Sequence, residues 1–150
     1  VKRSKEQTVK IRSAISADAS LLAVLAGELG YPTTTEAMLK RLEAASAESD
    51  QRILVAESES IVGWIHVALA KSLLSDLSAE IRGLVVSESR RGAGTGSLLV
   101  AAAEKWASER GCSRIRVRTN VVRERARLFY RRLGYQATKT QEIFDKALIR

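Results

Sequence analysis

The sequence predicts an α/β domain with a mixed sheet. Segments of period-two and period-3.6 hydrophobicity are interleaved along the chain rather than segregated. A glycine-rich turn, Gly92-Ala93-Gly94-Thr95-Gly96, joins a strand-like run to a helix-like run. The 150 residues, 45% hydrophobic with interspersed charges, suit one globular core, read as a single domain over residues 1–150.

The elements follow in order. Thr8–Arg12 alternates as a short first strand. Ser16 is placed to cap a helix with Leu21, Leu22, Leu25 and Leu29 on one side and a stop at Gly30. Thr33 and Glu36 have capping-box spacing ahead of a second helix bearing Ala37, Met38, Leu42 and Ala45. Arg52–Glu57 and Ile61–Ala70 read as strands around a tight turn at Ser58–Ser60, and Ala79–Val86 as a third strand. Gly94–Gly111 has helical spacing at Leu98, Leu99, Ala102 and Trp106. Arg114–Arg118 alternates Arg-Ile-Arg-Val-Arg, a strand with one apolar face. Val121–Leu133 carries Val122, Ala126, Phe129 and Leu133 on one stripe before Gly134, with Tyr130 at its edge. Ala137–Ile149 is predicted to be the last strand.

Composition narrows the function classes. A lone cysteine, Cys112, precludes an internal disulfide and suits a cytoplasmic setting. The run Ile61–Ala70 is too short to span a bilayer, and Val1–Lys10 is charged and polar, unlike a secretory signal. No metal-ligand spacing is present, so no metal is expected. The net charge of +8 concentrates late, from Arg110 to Arg132; it suits nucleic acid, an anionic membrane, a small polyanionic ligand or simply a solvated arginine-rich surface, and alone decides nothing. A basic nucleic-acid-binding module is one reading of that charge. It lacks the interleaved aromatics of single-strand binders and a helix-turn-helix signature, so no nucleic acid is expected.

The turn from Leu84 to Leu99 carries the chemistry. Alternate glycines remove β-carbons that would hold a ligand off the backbone, and the loop feeds a helix N-terminus whose free N–H groups favour an anion. Arg90 and Arg91 add charge beside it. No lysine follows the glycines as a P-loop requires, and Gly92-x-Gly94-x-Gly96 is not the dinucleotide spacing. Arg118-Thr119-Asn120 also stands where a dinucleotide fold wants an acid.

Two segments carry a resemblance to a known family. Arg91-Gly92-Ala93-Gly94-Thr95-Gly96 resembles the Arg/Gln-x-x-Gly-x-Gly/Ala signature of the GNAT superfamily of N-acetyltransferases. Ala126-Arg127-Leu128-Phe129-Tyr130-Arg131-Arg132-Leu133-Gly134-Tyr135 is similar to its Ala-x-x-Phe/Leu-Tyr-x-x-x-Gly-Phe/Tyr segment. The element order matches over nearly the whole chain. The resemblance implies a central, mostly antiparallel sheet, splayed at the cofactor site and flanked by about four helices.

It also implies a cofactor, acetyl-coenzyme A, and transfer of its acetyl group to a primary amine by direct attack in a ternary complex. The coenzyme pyrophosphate would rest on Arg91, Gly92, Ala93, Gly94, Thr95, Gly96 and Ser97. The pantetheine arm would pair with the backbone of Leu84, Val85 and Val86, one of whose amides would polarise the thioester carbonyl. Asn120, Ala126 and Phe129 are further cofactor positions, Asn120 also as a helix cap. Gly83, inside a β-like run, independently predicts a bulge.

Tyr130 matches the tyrosine that protonates the departing thiolate in similar enzymes, and Glu80 the glutamate base of the histone-modifying branch, working through a water. The alternative for Glu80 is a strand carboxylate paired with a neighbouring arginine. Trp64 and His66 share a strand face, and Tyr31 ends the first helix; these are the acceptor-site candidates. Thr95, Arg123 and Ser89 depart from the family's usual apolar residue, asparagine and proline. The expected partner is a small-molecule or peptide amine, with a homodimer common in the family and no membrane. A coenzyme-binding sensor without catalysis is the alternative function.

Overall fold

A computed structural model describes residues 8–149. The N-terminal stretch read above falls, over residues 1–7, outside them. The chain forms two compact units, one ending at Arg118 and one beginning at Thr119.

The first unit holds one sheet, in which five strands lie in sequence order. They are β1 (Lys10–Ser13), β2 (Gln51–Ser58), β3 (Ser60–Ala70), β4 (Ser78–Val86) and β5 (Ile115–Val117). β1 to β4 are antiparallel neighbours, while β5 runs parallel to β4. Three helices belong to this unit: α1 (Ala19–Glu28), α2 (Thr35–Ser46) and α3 (Thr95–Glu109). No helix among the described residues is long and apolar enough to cross a membrane.

Register sorts the strand residues between two faces. Val55, Trp64 and Val85 are cross-strand partners, as are Ile53, His66 and Gly83, and each set shares a face. That face packs on α1 and α2 in a core of Leu22, Leu25, Leu42, Ile53, Val55 and Val85, with Trp64 against it. Gly63 lies on the other face, where a β-carbon would come within 3.1 Å of Leu99 in α3. Ile65, Val67, Leu99 and Val100 are almost wholly buried.

Several helix ends follow local chemistry read from the sequence. Gly30 ends the α1 turn at φ +100°, with Tyr31 N–H donating to Ala26 carbonyl at 2.9 Å. Gly111 does the same after α3 at φ +84°. Other starts differ. Ser16 opens a 3₁₀ turn over Ser16–Asp18 instead of capping α1, and the Asp18 carboxylate takes the Ile15 N–H at 2.8 Å. The cap of α2 is Thr34, whose hydroxyl accepts from Ala37 N–H at 3.0 Å, while Thr33 accepts from Arg41. The first strand is Lys10–Ser13 rather than Thr8–Arg12.

The second unit contains α4 (Glu124–Arg132), closed by Gly134 at φ +92° with Tyr135 N–H on Tyr130 carbonyl at 3.0 Å. The helix starts later than Val121. Asn120 Oδ1 accepts from Val122 N–H at 3.1 Å, and this turn holds Val121 and Val122 out of the helix. Asn120 therefore shapes the preceding turn and does not cap α4, whose N-cap is Arg123.

The predicted last strand, Ala137–Ile149, is not a strand. A strand needs a neighbour for its N–H and C=O groups, and no strand among the described residues pairs with it. Its large apolar residues come as adjacent couples, Ile143-Phe144 and Leu148-Ile149, instead of alternating, and all four are exposed.

Candidate active site

The site in the first unit is built around the place where β4 and β5 part. β5 pairs with β4 only from Ala79↔Ile115 to Ile81↔Val117, and β4 continues to Val86 without it. On its other side β4 stays paired to β3, Leu84 opposite Ile65, Val85 opposite Trp64 and Val86 opposite Gly63. The Leu84–Val86 backbone facing β5 therefore has no strand alongside it among the described residues. The predicted bulge is present. His66 pairs with Gly83 but Val67 pairs with Ile81, so Arg82 is the extra residue. Trp64 explains the glycine beside it: a β-carbon at Gly83 would lie 2.9 Å from Trp64 Cζ3.

From Val86 the chain passes through a 3₁₀ turn, Glu88–Arg90, into the glycine loop. Gly92 and Gly94 sit at φ +83° and +86°, a conformation glycine adopts without steric cost. Gly94 is the N-cap of α3, and the first helical bond runs from Leu98 N–H to Gly94 carbonyl at 3.1 Å. The amides of Thr95 to Ser97 are thus the helix's uncommitted donors. A β-carbon built on Gly92 or Gly94 meets nothing within 4 Å, so the space above the loop is open. Arg90 is turned to Ser58 Oγ at 2.7 Å, and Arg91 lies 3.7 Å from Glu88. Thr95 is 1% exposed, packed away rather than loosening the loop, and its Oγ1 is buried without a hydrogen-bond partner among the described residues. An open glycine cradle, positive dipole end and unpaired strand stretch fit a phosphate-bearing ligand with an extended arm.

Register brings three predicted residues onto one face. Glu80 pairs across to Ala68, two residues from His66 and four from Trp64, so all three side chains emerge on the α1/α2 face. The Glu80 carboxylate accepts a hydrogen bond from Arg118 in an ion pair. Its other neighbour in register is Arg116. His66 Nε2 lies 2.8 Å from Gln51 Oε1; an amide oxygen only accepts, so the proton sits on Nε2. Burial, and then the charge of Arg82, lower the His66 pKa and keep the ring neutral. Trp64 Nε1 is buried without a hydrogen-bond partner among the described residues. Tyr31 is largely exposed on the loop between α1 and α2 and shares no strand face with these residues.

Sequence reasoning missed the named partners Arg118 and Gln51. The arginine alternation on β5 was visible, but which one meets Glu80 depends on register between strands far apart in sequence. Also missed was Arg12, which binds Asp18 through both oxygens at 2.9 and 3.0 Å and Glu57 at 3.2 Å. The Arg12 hydrogen bonds lower the pKa of Asp18 and of Glu57 and raise that of Arg12 itself.

In the second unit Tyr130 is not at the edge of a stripe. It is the buried residue of α4, and its ring meets Phe129 edge-on at 5.0 Å and Tyr135 at 5.5 Å. Burial pushes its phenol pKa up to about 12. Ala126 and Phe129 are partly exposed on the same helix, and Asn120 is exposed before it. Burial likewise raises the pKa of Cys112, which keeps it a thiol and a poor nucleophile.

The family profile described as "Acetyltransferase (GNAT) family" matches residues 19–135, running through both units. The chain belongs to the GNAT acetyltransferase family. No curated protein matches its sequence. Among solved structures, a transcriptional regulator from Bacillus halodurans C-125 is similar at TM-score 0.84 and 25% identity, covering 93% of this chain and 100% of its own. AAC(6')-Iy, solved in complex with the bisubstrate analogue CoA-S-monomethyl-acetylneamine, is similar at TM-score 0.83 and 18% identity, with 94% and 99% covered. Glucosamine-6-phosphate N-acetyltransferase from Arabidopsis thaliana follows at TM-score 0.74 and 24% identity, with 92% and 99% covered. The fold of this chain is the GNAT fold, a mixed sheet of five strands with four helices.

Proposed function

We propose that this protein is an acetyl-coenzyme A-dependent N-acetyltransferase acting on a small amine. The observation that carries the reading is the open glycine cradle at Gly92 and Gly94, continuous in sequence with the unaccompanied Leu84–Val86 backbone. The amides of Thr95 to Ser97 hold the coenzyme's pyrophosphate, those of Arg91 and Ala93 already donating to the Glu88 and Arg90 carbonyls, and the β4 backbone lines its pantetheine arm. Bound there, the coenzyme supplies a thioester carbonyl to be attacked and a thiolate to leave.

The remaining work falls to side chains. A primary amine of pKa about 10.4 arrives protonated and must give up a proton before it attacks. Glu80 takes that proton, through a water where the amine does not reach it directly. An amide of the Leu84–Val86 stretch donates to the carbonyl oxygen as negative charge builds there. Tyr130, which matches the family's acid tyrosine in its motif, is the proposed proton donor to the departing thiolate. A phenol with pKa about 12 stays protonated throughout the neutral range, so it serves as a hydrogen-bond donor at every working pH. Trp64, His66 and Tyr31 line the acceptor side.

Thermal unfolding with acetyl-coenzyme A, against NADH and ATP controls, tests the reading. A ligand at about 100 times its dissociation constant adds about 2.7 kcal/mol to the folded state. A shift with acetyl-coenzyme A alone, followed by thiol release in the presence of an amine, supports it. No shift in a folded sample overturns it, and a shift without thiol release from any amine leaves a coenzyme-binding sensor.

A further inference from the structure

The acceptor side of the sheet has an unusual charge inventory. Across β3, β4 and β5 Glu80 is the only acidic residue, against Arg82 and Arg116 within the strands and Arg118 immediately after. The strand alternation puts Arg116 and Arg118 on Glu80's face, with Arg116 directly opposite it in register. The carboxylate is already matched by Arg118. Arg82, the bulged residue, projects its charge onto His66. His66 is held neutral, with Nε2 committed to Gln51. Along these three strands a second positive charge on an acceptor would meet guanidiniums and no spare carboxylate.

We infer that the acceptor is a small amine that also carries an anionic group, a carboxylate or a phosphate, and that this group takes Arg118 away from Glu80. This rests on the acetyltransferase reading above. The exchange is cheap on the protein side, because the Arg118 side chain is 54% exposed and ion pairs at such sites contribute little. It is favourable on the ligand side, because a guanidinium binds carboxylate or phosphate through two parallel hydrogen bonds.

The released Glu80 carboxylate then receives one proton from the substrate ammonium and passes it to solvent. The N–C bond forms as the C–S bond breaks, and the second nitrogen proton balances the thiolate as a thiol. Binding of the correct acceptor thus creates the base it needs. The net charge of +8 draws such an acceptor in from solution.

The test is thiol release by the full chain at saturating acetyl-coenzyme A with four amines on one short aliphatic skeleton. They bear a terminal carboxylate, a phosphate, a neutral amide or a second amine. One of the anionic pair should exceed the amide in kcat/KM by about tenfold or more, the range of a charged hydrogen bond, and the diamine should be poorest. Which anion wins separates an amino-acid-like acceptor from a phosphorylated one. In Arg118→Gln the anion-to-amide ratio should collapse toward one, through KM of the amine, with KM of acetyl-coenzyme A and the melting temperature unchanged. Should that variant fail to fold, the wild-type ratio and its decline with added salt decide the matter.

Equal or better turnover of the amide or diamine overturns the inference. So does an anion preference that survives Arg118→Gln, or an Arg118→Gln effect on coenzyme KM, which would give this arginine to the coenzyme phosphates. Coenzyme binding without release from any of the four overturns the inference but not coenzyme binding. Absence of both removes the acetyltransferase reading as well.

Discussion

The indole of Trp64 lies directly over the α-carbon of Gly83, so closely that a β-carbon there would come within 2.9 Å of Cζ3 and 3.1 Å of Cη2. The contact crosses from β3 to β4 at the bulge and fixes the ring on the face that also carries His66 and Glu80. Gly83→Ala forces either the ring or the strand to move. Overpacking of this kind costs about 1–3 kcal/mol, read as a lower denaturation midpoint with an unchanged m-value. If Trp64 lines the acceptor pocket, KM for the amine rises further than KM for acetyl-coenzyme A.

Gly94 makes the opposite case, because a side chain there meets nothing in the folded protein. Gly94→Val is penalised only by its φ of +86°, about 1–3 kcal/mol of backbone strain. The branched side chain stands in the open cradle, however, so coenzyme affinity should fall by more than about a hundredfold, measured by calorimetry on folded material. Unchanged affinity would remove the loop from coenzyme binding.

Tyr130→Phe separates chemistry from packing. The ring contacts with Phe129 and Tyr135 survive the substitution, so coenzyme affinity should hold while kcat falls by about a hundredfold, the lower end for a general acid. A collapse of affinity with normal turnover per complex would make it a binding residue.

The same phenol makes a prediction about alkaline stability. Its folded pKa, about 12, lies above the unfolded value near 10. The phenol's contribution is intact below pH 10, because both states are then neutral. It is lost as pH rises from about 10 through about 12, since only the unfolded chain ionises readily in that window. The loss is roughly 2–3 kcal/mol, and Tyr130→Phe should flatten this part of the stability profile. Parallel profiles for the two proteins would contradict it.

Asp18 governs the acid side. It is almost wholly buried and takes hydrogen bonds from Arg12 and from Ile15 N–H. Its depressed pKa means that the stabilisation is present above the unfolded value near 3.8 and is lost as pH falls through the folded value. Asp18→Asn should cost about 2–3 kcal/mol at pH 7. The gap between variant and wild type should close in strong acid, as followed by chemical denaturation across pH.

Legibility in the sequence tracked how local the cause was. Gly30, Gly94 and Gly111 announce helix ends because the left-handed conformation belongs to one residue. The bulge at Gly83 and the left-handed glycine turn leading into α3 were readable for the same reason. Thr34 displaced Thr33 as the cap by a single residue, a distinction the spacing alone does not make. Pairing between remote segments was not readable. The partner of Glu80 lies just past the end of β5, a strand that reaches it only through the parallel β4/β5 register. Ala137–Ile149 had a strand-like composition and no neighbour among the described residues to make it a strand. Tyr130 read as peripheral because Ala126, Phe129 and Leu133 set the apparent stripe, whereas its burial comes from tertiary packing that periodicity does not show.

The parting of β4 from β5 has a cost in solubility. Backbone from Leu84 to Val86 with no strand beside it is an edge set inside a sheet, and its apolar sequence is the kind that recruits stray extended chains. A ligand arm laid along that backbone serves as a removable cover for it. If acetyl-coenzyme A lies there as proposed, the loaded protein should resist heat-induced aggregation well beyond what its gain in melting temperature accounts for, because one molecule would both bring the acetyl group and close the sheet.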